Sequence, residues 1–138
     1  YYSAAISEQL KAHKPLPMLK ATDFISDMGA AYKAADLVIS RAGASSISEF
    51  CLIGKPVILV PSPNVAEDHQ TKNAMALVSK DAAIYVKDSE APDTLLRLAI
   101  DTVADDSRLA RLAENIKHLG QPHSADIIAD GVIKLARK

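Results

Sequence analysis

The chain has 138 residues, 49% of them hydrophobic and 24% charged, and its 16 Lys and Arg against 17 Asp and Glu leave a net charge of -1. One ordinary domain with a real core fits that length, and the composition excludes long disorder. The charge balance lacks the basic excess of a nucleic-acid binder, no apolar run reaches the ~20 residues of a membrane span, and the single Cys51 excludes an internal disulfide framework and fits a reducing compartment.

Short apolar runs alternate with longer helical patterns, which marks a parallel sheet covered by helices. The opening residues Tyr1-Tyr2-Ser3 lack the basic start and apolar stretch of a secretion signal. Residues 4–13 are expected to be helical, with Ala5, Ile6 and Leu10 on one face, and residues 18–21 form a short strand after Pro15 and Pro17. Residues 27–35 read as a helix with Met28, Ala31 and Tyr32 inward. Leu37-Val38-Ile39 is a compact buried strand. Ser46-Ile47-Ser48-Glu49 has the spacing of a capping box and opens a helix over 46–53, with Gly54 at its C-cap. Pro56 opens a strand over 57–60, and Pro61 and Pro63 end it. A helix over 67–80 packs Ala74, Leu77 and Val78, and a strand follows over 83–86. Pro92 then opens a helix carrying Leu95, Leu96, Ala99 and Val103. The next helix begins near Asp105-Asp106 and places Leu109, Leu112, Ala113, Ile116 and Leu119 on a 3.6-residue stripe, until Gly120 and Pro122 break it. A last helix over 124–136 has Ile128, Val132 and Leu135 in register. No repeat, low-complexity tract or long linker divides the chain.

In a parallel sheet the loops after the strands gather along one edge, where ligands bind. Three such segments carry polar chemistry: residues 22–26, 41–46 and 62–73. The second joins a strand to a helix start. Gly43 there permits positive φ and close backbone approach, and free N–H groups with the helix dipole favour an anion such as a diphosphate. An ordinary capped helix accounts for the same residues. In the third segment His69 and Asn73 share a helix face with Gln70 beside them, and these groups could hydrogen-bond sugar hydroxyls. A solvated first turn accounts for them as well. His13, His118 and His123 have no metal-ligand spacing and read as surface residues, and Cys51, beside Phe50 and Leu52, reads as packed. Aromatics make up only 4% with no Trp, so recognition rests on backbone groups and short polar side chains.

Three stretches carry a further signal. Residues 35–49 (Ala35-Asp36-Leu37-Val38-Ile39-Ser40-Arg41-Ala42-Gly43-Ala44-Ser45-Ser46-Ile47-Ser48-Glu49), Gly54-Lys55-Pro56-Val57-Ile58-Leu59-Val60-Pro61, and Asp68-His69-Gln70-Thr71-Lys72-Asn73-Ala74 resemble the donor-binding region of the MurG family of bacterial N-acetylglucosaminyltransferases. Phe24-Ile25-Ser26-Asp27-Met28 matches as well, and the resemblance runs over nearly the whole chain. It implies a Rossmann-like parallel sheet flanked by helices, the C-terminal half of a two-domain GT-B glycosyltransferase that moves GlcNAc from UDP-GlcNAc to lipid I to make lipid II in peptidoglycan synthesis.

Carried over position by position, the backbone of Ile25 would pair with the uracil edge and Met28 would line the base pocket. Glu49 would accept from the ribose hydroxyls. The backbone of Gly43, Ala44 and Ser45, with Ser46, would face the diphosphate and sugar. His69 and Gln70 would contact the GlcNAc, with Asn73 supporting them. The family's N-terminal acceptor domain, with its catalytic base, and the first strand and glycine-rich loop of this domain are expected to lie outside the 138 residues. On that reading residues 1–138 are a partial UDP-GlcNAc-binding domain, inactive alone, with no catalytic residue of its own. No cofactor is implied, and no carboxylate cluster specifies a divalent ion. The complete enzyme would be peripheral on the cytoplasmic face of the cell membrane. Two other readings are a stand-alone sugar-nucleotide-binding subunit that needs a partner chain, and a non-catalytic nucleotide-binding or receiver-like module; the latter would want acidic pairs and a strand-end lysine, which are missing.

Overall fold

The computed structural model describes residue 20, residues 22–64 and residues 68–137. The helix expected over 4–13 and His13 lie outside the described residues, as does the 18–21 strand apart from Lys20. The described residues fall into two compact units, one ending at Ala34 and one running from Ala35.

In the first unit, helix α1 spans Met28–Ala34. Asp27 caps it: the Ala30 N–H donates to Asp27 Oδ1 at 2.8 Å, the bond a carboxylate N-cap offers a first-turn amide. No residue of α1 is buried. Met28, expected inward, is 42% exposed, and Ala31 and Tyr32 are only half-buried.

In the second unit three strands form a parallel sheet in the order β1-β2-β3: Val38–Ser40, Val57–Leu59 and Ile84–Tyr85. Val38 lies opposite Val57, and Ile58 opposite Ile84. Between them run helices α2 (Ala44–Ile53) and α3 (His69–Val78), and a 3-10 turn (Asp88–Glu90) leads into α4 (Ala91–Val103), α5 (Asp106–Lys117) and α6 (Ser124–Ala136). Strands β2 and β3 are shorter than the apolar runs that mark them, and β1 keeps the length of its run but starts one residue later. Ladder bonds nevertheless continue past them: Val60 N–H reaches Ser40 O at 2.9 Å and Val86 N–H reaches Leu59 O at 3.0 Å.

Val57, Ile58 and Leu59 are each 0% exposed. Three consecutive buried residues mean that both faces of β2 are covered, as in a parallel sheet between helix layers. On one face Ile58, Val60 and Val86 meet Leu95, Leu98 and Ala99 of α4. Leu96, expected in that stripe, is 74% exposed, and Val103 also faces outward. The inward row is instead Leu95, Leu98, Ala99 and Thr102, a run at i, i+3, i+4 and i+7. Thr102 is fully buried and satisfies its hydroxyl by donating to Leu98 O at 2.7 Å.

Helix α5 packs against α2 and α4, and its Leu112 and Ile116 are buried along the expected stripe. Asp105 caps α5, accepting the Arg108 N–H at 2.9 Å. Two glycines fix the junction between α2 and α5. Gly54 ends α2 at φ 65°, where a β-carbon is strained. Gly120 follows α5 so closely that a Cβ there would lie 2.9 Å from Cys51 O. Helix α6 occupies its expected range, but none of its residues is buried, and Ile128, Val132 and Leu135 stand exposed.

Candidate functional site

Strand β1 ends at Ser40, and only Arg41-Ala42-Gly43 separate it from α2. The helix begins two residues earlier than the capping-box spacing implies. Gly43 is its N-cap, with φ −68° and ψ 144°, and its carbonyl accepts the first helical bond from Ile47 N–H at 3.0 Å. Ser46 therefore sits inside the first turn and is not the cap, and no side chain caps this end. Glu49 lies in the second turn, too far along the helix to close a box on Gly43. Gly43 does not adopt positive φ either. What glycine leaves here is open space, since a Cβ would meet only Ser46 Oγ, at 3.9 Å.

The consequence is a helix start with exposed donors. The first turn of an α-helix has no intrahelical acceptors for its N–H groups. Among the described residues none is supplied to Ala44, Ser45 or Ser46, and Ala44 and Ser45 are exposed. The dipole of the ten-residue helix adds positive potential at the same place.

A second element is built against this one. Asp68, at φ 55°, turns the chain into α3, an orientation aspartate tolerates better than most residues. The helix runs from His69 to Val78, shorter at each end than expected, and Glu67 lies outside the described residues. Its first turns aim two side chains at the β1–α2 connection. Gln70 Oε1 accepts the Ala42 N–H at 3.2 Å and the Ser62 N–H at 2.9 Å. Asn73 Nδ2 donates to Ala42 O at 3.2 Å. Both backbone polar groups of Ala42, one residue before Gly43, are thus held by α3. Since Oε1 accepts two N–H groups, the Gln70 amide has one possible orientation, and Nε2 is the part left to donate elsewhere.

The structure thereby brings together Gly43, Ala44, Ser45, Ser46, Gln70 and Asn73 at the carboxyl edge of the sheet. His69 is exposed at the first position of α3, and Glu49 is exposed on α2. Ile25 and Met28 belong to the unit that ends at Ala34, where both are exposed. Two further residues carry no local signal in the sequence. Arg41 Nη1 donates to Val60 O at 3.1 Å and Pro61 O at 3.3 Å and pairs with Asp88 Oδ1. The expected positions line neither of two other cavities, one of about 450 Å³ beside Leu37, Ile39 and Ile100, the other of about 650 Å³ beside Cys51, Lys80 and His118.

Cys51 is buried as expected, and that burial pushes its thiol pKa up, away from the nucleophilic thiolate, with the Lys80 charge opposing it. His118 and His123 are exposed, and His123 Nδ1 lies 3.6 Å from Asp126 Oδ2. Among the described residues no group of three or more His, Cys, Asp or Glu is placed to hold a metal ion. None of the described helices is long and apolar enough to cross a membrane.

The sequence matches the Glycosyltransferase family 28 C-terminal domain over residues 3–129. A protein of Bacteroides fragilis named UDP-N-acetylglucosamine--N-acetylmuramyl-(pentapeptide) pyrophosphoryl-undecaprenol N-acetylglucosamine transferase is 64% identical over 99% of this chain and 36% of its own length. A protein of the same name from Bacteroides thetaiotaomicron is 66% identical over 99% of this chain and 37% of its own. The chain thus spans just over a third of these relatives. A crystal structure of Acinetobacter baumannii MurG superposes with a TM-score of 0.83 at 30% identity, over 94% of this chain and 40% of that one. On the family match, and with the parallel sheet and its loops arranged as described, the chain belongs to glycosyltransferase family 28 as a C-terminal domain of that family.

Proposed function

We propose that this chain is the donor-binding part of an inverting glycosyltransferase of GT-B architecture, which transfers GlcNAc from UDP-GlcNAc to lipid I and so makes lipid II. The observation that carries the reading is the uncapped start of α2, set beside the Gln70 and Asn73 clamp at the carboxyl edge of a parallel sheet. An anion meets three unpaired N–H groups and the helix dipole there, and a sugar attached to it falls near donors on α3. The names of the relatives add the chemical identity of donor and acceptor.

The proposed roles combine these positions with the family resemblance. The N–H groups of Ala44, Ser45 and Ser46, with the open approach at Gly43, take the diphosphate. Glu49 accepts from the ribose hydroxyls. His69 and Gln70 Nε2 contact the GlcNAc, and Asn73 fixes the Ala42 carbonyl behind them. For Ile25 and Met28, in the unit that ends at Ala34, the proposal rests on the resemblance alone: the uracil edge for the backbone of Ile25 and the base pocket for Met28.

In the transfer, a hydroxyl of lipid I bonds to the anomeric carbon while the bond from that carbon to the diphosphate oxygen breaks. Negative charge grows on the leaving UDP, and the N-terminus of α2 stabilises it electrostatically, with no protein nucleophile. A base in the acceptor-binding part of the complete enzyme takes the hydroxyl proton. The complete enzyme works peripherally at the cytoplasmic face of the cell membrane and serves peptidoglycan synthesis, and with it cell shape and division.

Calorimetry on the full-length protein that carries this sequence tests the reading. UDP-GlcNAc is expected to bind and ADP-glucose not to, and Glu49→Ala is expected to weaken UDP-GlcNAc by about 1–3 kcal/mol, the usual cost of a lost hydrogen bond to a charged group. Equal binding of both sugar nucleotides would refute it. A melt accompanies the variant, since loss of stability without loss of affinity would assign Glu49 a purely structural role.

A further inference from the structure

Arg41 draws together all three segments that leave the carboxyl ends of the strands. It follows β1 itself, donates to Val60 O and Pro61 O after β2, and pairs with Asp88 in the turn after β3. The peptide next to it, at Ala42, is the one Gln70 and Asn73 hold. Arg41 and Asp88 are 54% and 36% exposed. A pair so open to water adds at most about 1 kcal/mol to folding. Its main consequence is therefore geometric: it fixes how the approach to α2 stands relative to the end of β2 and the turn after β3.

We propose that the Arg41–Asp88 pair is a positioning strut for the donor site, holding the Gly43–Ser46 backbone at the spacing that a nucleoside diphosphate requires. The proposal rests on the reading of the α2 start as the diphosphate seat. Asp88 is then a positioning residue that acts through Arg41 and touches no ligand. This has a consequence opposite in sign to simple electrostatics. Removing a carboxylate from the rim of an anion site should, by charge alone, favour the anion. If Asp88 works through geometry, removing its charge weakens the anion instead.

The test uses Asp88→Asn and Asp88→Glu in the full-length protein, with UDP as the probe. Asp88→Asn is expected to weaken UDP binding about 5-fold, the upper end of what a half-exposed pair is worth, with little change in melting temperature. Hydrogen exchange at the Ala42 and Ser62 amides is expected to quicken, and Asp88→Glu restores most of both effects. Unchanged or tighter UDP binding by Asp88→Asn overturns the proposal, and so does unchanged exchange at those amides. If the unaltered protein binds no UDP, the donor-site reading fails instead, and the exchange rates alone judge the strut.

Discussion

Replacing Gln70 by leucine and by glutamate separates what this side chain does for the fold from what it does for a ligand. Gln70 Oε1 accepts from Ala42 N–H at 3.2 Å and Ser62 N–H at 2.9 Å in a half-buried setting. Leucine keeps the bulk and loses both bonds. At ~0.5–1.5 kcal/mol each, the loss is about 1–3 kcal/mol. For a domain of this size that lowers the melting midpoint by about 3–10 °C. Glutamate keeps an oxygen where both amides need one and should melt close to the unaltered protein. It gives up the Nε2 donor, however, and sets a negative charge near the proposed diphosphate seat. UDP-GlcNAc binding is expected to fall about tenfold or more, for ~1.4 kcal/mol of lost bonding and repulsion. Circular-dichroism melts and calorimetric titration of the three proteins read both quantities. A Gln70→Glu protein that melts as low as Gln70→Leu would refute the two-amide clamp. One that binds donor normally would refute the ligand role of Nε2.

Other outcomes follow from single contacts. Gly120→Ala places a Cβ 2.9 Å from Cys51 O and should destabilise by about 1–3 kcal/mol, read from the urea midpoint, because backbone cannot give way as a flexible side chain can. Gly54→Ala should lose about 1 kcal/mol, the cost of a β-carbon at the φ of 65° found there. Bonds from the Arg108 N–H and the Ser107 hydroxyl hold the Asp105 carboxyl below its ordinary pKa. A depressed carboxylate contributes stability above its unfolded-state pKa and loses it as pH falls through the folded value, so Asp105→Asn should flatten the acid limb of a stability-against-pH curve. Cys51 should react with iodoacetamide far more slowly in the native protein than after unfolding, as mass spectrometry would show, because burial hides it and raises its pKa.

The strands and helices of the second unit are legible in the sequence because their signals are local. Val57-Ile58-Leu59 is short, β-branched and bounded by Pro56 and Pro61, and it becomes the fully buried central strand. Leu109, Leu112 and Ile116 repeat at helical spacing and face the core. The errors arise where local signals compete. Ser46 and Glu49 have the spacing of a capping box, but the peptide at Ala42 is already held by Gln70 and Asn73, so the chain enters the helix at Ala44. Leu96 fits an apolar stripe as well as Leu98 does, and only the position of α4 over Ile58 and Val60 decides between them. The stripe of α6 is equally plain in the sequence, yet periodicity states what a helix could bury and not whether a surface lies against it.

The site divides along the same line. That a short loop after a strand should offer N–H groups to an anion follows from local geometry, and so does the grouping of such loops along one edge. The bonds that fix the loops are long in sequence: Gln70 reaches an amide 28 residues earlier, and Arg41 pairs with a carboxylate 47 residues later. No spacing rule links such partners, and each residue alone looks like an ordinary surface polar group. In the folded chain they share the Arg41-Ala42 segment, so that α3, the segment after β2 and the turn after β3 all bear on the two residues before the N-cap Gly43. The proposed anion site takes its donors chiefly from backbone N–H groups, which cannot swing as a side chain can. Its selectivity depends on how firmly the surrounding loops fix those groups, which makes Gln70, Asn73, Arg41 and Asp88 the places where substitution should change recognition without touching the ligand's diphosphate.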